Sequence, residues 1–121
     1  MATLSTTARN TSVNSVTALL NNGDIKFQTS GGNEIAICTF GATAFSAASN
    51  GKATANAIAD DTSALAGTVA TGLLRDSSHN TVITCTCTGQ GGGGDFIFTS
   101  LVIGAGDTVS VTSLTLEQKA S

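Results

Sequence analysis

The stretch GTVATGLLRDSSHNTVITCTCTGQGGGGDFIFTSLVIGAGDTVSVTSLTL, residues 67–116, decides the fold: Thr-rich apolar runs are cut at short intervals by Gly, Asp, Ser and Asn. Four strands fit it. Thr68 to Arg75 leads into the turn Asp76–Asn80, Thr81 to Thr88 returns, the glycine tract Gly91–Gly94 reverses the chain, and Asp95 to Ile103 follows. Gly104–Asp107 then turns the chain into Thr108 to Leu116. Strands of about eight residues joined by turn clusters are the pattern of an antiparallel meander, sandwich or barrel. Side chains alternate along a strand, so Ile83, Cys85 and Cys87 share one face while Val82, Thr84 and Thr86 share the other. Between Val109–Val111 and Leu114–Leu116 the apolar phase changes, which predicts a bulge or bend at Thr112–Ser113, or a crossing from one sheet to another.

Working outward, Ser5 to Asn22 reads as a helix. Ser5 or Thr6 caps its start, Arg9, Val13, Val16 and Leu20 recur at roughly helical spacing, and Asn21-Asn22-Gly23 supplies a left-handed stop. Its many Thr, Ser and Asn residues are mediocre helix formers, so packing must hold it, either on its own sheet or as an arm on a neighbour. Asp24 to Thr29 alternates as a strand with one wet face, and Glu34 to Phe40 is apolar on both faces, as a central strand is. Gly41 to Ala48 is a small-residue loop whose Phe45 either plugs the core or anchors a partner. Asn50-Gly51 is a hairpin signal, and Lys52 to Ile58 makes a further short strand. The fold class expected is therefore mainly β, an antiparallel sandwich or jelly-roll-like arrangement with one N-terminal helix. Residues 1–23 form the arm and helix, and 24–121 the sandwich, within a single domain.

A chain of 121 residues supports one core. Only 11% of the residues are charged, and Pro, Trp and Tyr do not occur. A typical domain carries about 25% charged residues. A neutral Thr/Ser/Ala/Gly surface is a poor defence against association, which suits a chain held against other subunits. The net charge of −3 and the scattered positions of Arg9, Lys26, Lys52, Arg75 and Lys119 argue against phosphate-backbone binding, so no nucleic-acid partner is expected. No apolar run approaches the roughly 18 residues that span a bilayer, and Met1 to Arg9 lacks the features of a secretion signal. Neither a membrane partner nor export is expected, and synthesis is placed in the cytoplasm.

The odd cysteine count favours buried free thiols at Cys38, Cys85 and Cys87, although Cys38 can reach one of the others across a core. Cys-x-Cys with a distant His79 gives no zinc pattern. Asp60-Asp61 reads as a solvated turn, lacking the ligand spacing of a calcium loop. The glycine tract is followed by a strand and lacks the Lys-Ser/Thr of a phosphate loop, so it reads as a flexible hairpin tip. With no Gly-x-Ser-x-Gly elbow and its single His in a predicted turn, the chain offers no catalytic residues. Neither enzyme activity, a cofactor nor a metal is expected.

Several consecutive pieces resemble a family of small structural proteins from the virion gene modules of tailed bacteriophages. They are VTALLNNGDIKF (16–27), TAFSAASNGKATANAI (43–58), GTVATGLLRDSS (67–78) and IGAGDTVSVTSLTL (103–116). The resemblance implies a sandwich or jelly-roll subunit on the capsid exterior, a decoration or cement protein whose partners are the major capsid protein and copies of itself as a homodimer or homotrimer. A neck, tail-tube or fibre-base subunit is the alternative within that class. A carbohydrate-binding sandwich lies further off, since there is no Trp or Tyr platform. Candidate contact residues, chosen because they are apolar or backbone-rich and lie outside the strands, are Met1, Ala2, Thr3, Leu4, Phe45, Gly91, Gly92, Gly93 and Gly94.

Overall fold

The computed structural model describes residues 2–120. A helix, α1 (Thr6–Leu19), is followed by β1 (Asp24–Gln28), β2 (Glu34–Phe40), β3 (Lys52–Thr54), β4 (Ile58–Ala59), β5 (Gly67–Thr68), β6 (Thr71–Arg75), β7 (Thr81–Gly89), β8 (Phe96–Phe98), β9 (Val102–Ile103) and β10 (Thr115–Glu117). The mainly-β architecture with one N-terminal helix is the one expected. Six strands form a sheet in the order β4-β2-β1-β6-β7-β8, while β3 pairs with β10 and β5 with β9.

Helix α1 starts where its cap allows. The Ser5 hydroxyl accepts a hydrogen bond from the Ala8 N–H at 3.1 Å. It stops three residues short of Asn22, because Asn22 adopts a left-handed φ of 59° and turns the chain into β1. Packing holds the helix, as its composition demands, and the packing is on its own chain. Val13, Thr17 and Leu20 are buried. Arg9 donates to the carbonyls of Gln118 and Asn50, both at 2.9 Å, and Asn10 and Asn14 accept the N–H groups of Gly51 and Ala48. The alternative of an arm reaching to a neighbour is thereby set aside. The turn it sits on is the Asn50-Gly51 hairpin, with φ of 52° and 75° and reciprocal Ser49–Lys52 hydrogen bonds.

The core lies under β1, whose Ile25 and Phe27 are fully buried. Phe27 meets Phe96 and Phe98 edge to face, with centroids 5.1 and 5.2 Å apart. This cluster needs a residue without a side chain opposite Phe27: Gly72 is its register partner on β6, and a Cβ there would lie 3.1 Å from both the Phe27 and Phe96 rings. Alternation in β7 is as expected, with Cys85 and Cys87 buried and Thr84 and Thr86 exposed.

Three of the four strands expected in the second half are broken. Thr68–Arg75 divides into β5 and β6, because Val69 N–H bonds Leu101 O while Ala70 N–H bonds Gln28 O, two different neighbours. Asp95–Ile103 divides into β8 and β9, which join different sheets. Over 108–116 the chain crosses between partners. Val109 bridges Asp61, β10 pairs with β3, and the crossing lets both Val109 and Leu114 face the core. The expected hairpin after β7 is also corrected: β8 runs parallel to it, in the register Cys87↔Phe96.

Candidate protein-interaction site

The residues nominated from sequence have separate surroundings. Met1 lies outside the described residues. Ala2, Thr3 and Leu4 are exposed, and Leu4 N–H is tied to Ala120 O at 2.8 Å. Phe45 is corrected as a contact residue. It is 5% exposed, with its ring 5.7 Å from that of Phe40, so it plugs the core and offers a partner nothing.

The glycine tract is exposed at Gly91–Gly93, and it is a crossover between parallel strands, not the hairpin tip expected. Gly94 N–H donates to the Thr88 hydroxyl at 3.0 Å and Gly92 N–H to Gly89 O at 3.1 Å. A Cβ on Gly92 would come within 2.5 Å of Thr88 Cβ, and Gly91 and Gly93 take φ of 84° and 75°. Parallel neighbours usually need a long crossover. Here glycine lets the return loop fold flat onto β7. The Asp95 carboxylate then clamps β8 by accepting from Thr86 N–H at 2.9 Å and from its hydroxyl at 3.2 Å.

The two edges of the main sheet differ. On the β2 side the chain covers itself: β4 pairs with Thr39 and Phe40, Asp61 Oδ2 accepts the Ile37 N–H at 2.8 Å, and Leu65 N–H donates to Ile35 O at 2.8 Å. Asp61 is therefore a sheet-edge cap instead of the solvated turn residue expected, and Asp60 accepts from the Ser110 hydroxyl at 2.7 Å. Natural proteins cover edges in this way to prevent unwanted pairing.

Among the described residues, no strand pairs with the outer edge of β8. Beside it runs a groove of about 620 Å³ with Asp95–Ser100 along one wall and Asp107–Ser113 along the other. Ile97 is 52% exposed and Val102 68%. Among the described residues, the backbone groups of Ser110, Val111, Thr112 and Ser113 make no hydrogen bond within the chain. Among the described residues, Asp95 and Asp107 are the only charged ones lining the groove. Sequence reasoning missed it because its walls come from two runs that both read as ordinary strands. The phase change at Thr112–Ser113 was the one signal that this segment leaves its ladder.

Away from the groove, Arg75 donates to both oxygens of Asp24, at 2.6 and 2.9 Å, and His79 Nδ1 lies 3.3 Å from Asp24 Oδ2. Asp24 and Arg75 are direct register partners, so the pair staples β1 to β6. In the following turn, the Asn80 backbone N–H beside Asp76 holds its carboxyl below the usual range, with Ser78 N–H adding to the effect.

Cys38, Cys85 and Cys87 are free and buried. Burial is the main cause that pushes their thiols up, to about 11, about 11 and about 12 from an ordinary value of 9.0. A thiol reagent at pH 8 is expected to leave all three unmodified in the native protein and to react fully in denaturant; rapid native labelling would contradict their burial. Because folding raises these pKa values, the native state holds protons that the unfolded chain has released. Their stabilisation is full below pH 9 and lost as pH rises through about 11 to about 12, so an alkaline melting series should fall across that window.

Among the described residues, no group of three His, Cys, Asp or Glu is placed to hold a metal ion, and no helix is long and apolar enough to cross a membrane. Compared with known proteins, the chain matches no family model, no curated protein and no solved structure.

Proposed function

We propose that the chain is a structural subunit of a tailed-bacteriophage virion, a decoration or cement protein seated on the outside of the head. The observation that carries this reading is the contrast between the two sheet edges: the domain covers the β2 edge and leaves the β8 edge open beside a groove. The charge-poor surface and the sequence resemblance support the same assignment. The partners are the major capsid protein and further copies of the chain. Ala2–Leu4 and Gly91–Gly93, exposed outside the strands, are the remaining contact residues.

The physical role follows from packaged DNA pressing outward on a thin shell. A rigid β domain bridging neighbouring shell subunits raises the barrier to their separation. Each copy need bind only modestly, since symmetric repetition multiplies weak contacts. Particles assembled without the chain should release DNA at a lower temperature than complete ones, and purified chain added back should bind the heads and restore the difference. Equal release temperatures, with no binding of the added chain, would overturn the assignment.

A further inference from the structure

We infer that the groove beside β8 is a strand-acceptor site that takes an extended segment of a different protein chain, with small or β-branched side chains and at least one basic residue. The inference deepens the virion reading and rests on it for the partner's identity, but the groove's chemistry stands on its own. An added strand needs two things from its host: unpaired backbone groups along an edge, and room for alternate side chains. The outer side of β8 supplies the first on one wall. The unbonded backbone of Ser110–Ser113 supplies it on the other. An incoming strand can therefore be paired from both sides, which turns an edge into a slot. Ile97 and Val102, exposed at its rim, give apolar surface for it to cover.

Charge selects the occupant. Asp95 and Asp107 line the slot with no basic residue to balance them. Among the described residues, their carboxylates accept hydrogen bonds only from Thr86 and Gly104, which are neutral donors, so no cation is paired with either. A second copy of this chain is a poor match. It carries a net −3, and three of its five basic side chains, Arg9, Arg75 and Lys52, are engaged with Gln118 and Asn50, with Asp24 and with Glu117. A segment bearing Lys or Arg from another protein is the complementary ligand.

The test uses the full chain and a capped peptide Lys-Thr-Val-Thr-Val-Thr-Lys, with the same peptide carrying Glu in place of Lys as control. Amide NMR should show shifts and slowed exchange confined to Phe96–Phe98 and Ser110–Ser113, with the Lys peptide binding at least about tenfold more tightly than the Glu peptide. Thr112→Pro, which removes an N–H that no described residue uses, and Ile97→Lys, at an exposed side chain, should each weaken binding; the second keeps the test valid if the first perturbs folding. No binding, equal binding of both peptides, or shifts elsewhere would overturn the inference. So would protection of these amides on raising protein concentration alone, which would make a second copy the occupant. Loading of wild type and Ile97→Lys onto heads separates the two readings. Equal loading of both sinks the groove's role and leaves the virion assignment, whereas peptide binding by a chain that never loads does the reverse.

Discussion

Gly23→Ala is expected to leave little folded protein. Gly23 joins the end of α1 to the start of β1, and a Cβ there would sit 1.9 Å from the carbonyl oxygen of Arg75 and 3.0 Å from its carbonyl carbon. Neither side can retreat. Gly23 N–H is bonded to Leu20 O at 2.8 Å, its carbonyl accepts from Phe40 N–H at 2.9 Å, and Asn22 is tied to Gly41 O at 2.9 Å. Arg75 is fixed in its ladder with β1. The obstruction is backbone against backbone, so the expected cost exceeds about 3 kcal/mol, a large share of the roughly 5–15 kcal/mol that holds a domain together. Thermal melting should show a loss of more than about 10 °C. Gly41→Ala is the matched control, since its Cβ meets nothing within 4 Å, and it should change stability by less than about 0.5 kcal/mol. Equal melting of the two variants would contradict the packing described.

Asp24→Asn carries the second large effect. The Asp24 and Arg75 side chains are only 6% and 15% exposed, so removing the carboxylate leaves a guanidinium largely out of water with no counter-charge. Breaking one side of such a pair costs about 2–4 kcal/mol here, slightly below the range for a fully buried pair because Arg75 keeps some solvent. Replacing both partners, as Asp24→Leu with Arg75→Met, should recover much of the loss, since two apolar groups of similar size leave no charge stranded. His79 is 66% exposed, and His79→Ala should cost under about 1 kcal/mol. Chemical denaturation of the four proteins checks the series. A double variant worse than Asp24→Asn would show that the pair is more than an electrostatic staple.

What the sequence revealed, and what it hid, divides along the range of the interactions involved. Ser5 as a helix cap, Asn22 as its left-handed stop and Asn50-Gly51 as a tight hairpin are decided by a few neighbouring residues, and each was legible. So was the buried face of Cys85 and Cys87, because alternation needs only one strand. Asp61 was not. Its neighbours read as a solvated turn, while its carboxylate reaches a backbone N–H at Ile37, 24 residues back. Phe45 could be narrowed to a plug or an anchor, and only the presence of Phe40 beside it chooses the plug. The glycine tract announced a reversal without its direction. The parallel course of β8 depends on Thr88 and Asp95 holding the loop down. The groove was hidden for the same reason, since its two walls acquire meaning only when the fold sets them side by side.

Quantitative mass spectrometry of purified particles from cells expressing the encoding genome decides whether this chain is the virion building block proposed above. Its peptides are expected at a copy number in fixed proportion to the major capsid protein, and to be lost when the heads are stripped of outer proteins. Abundant chain in the lysate with none on any assembled particle would contradict it.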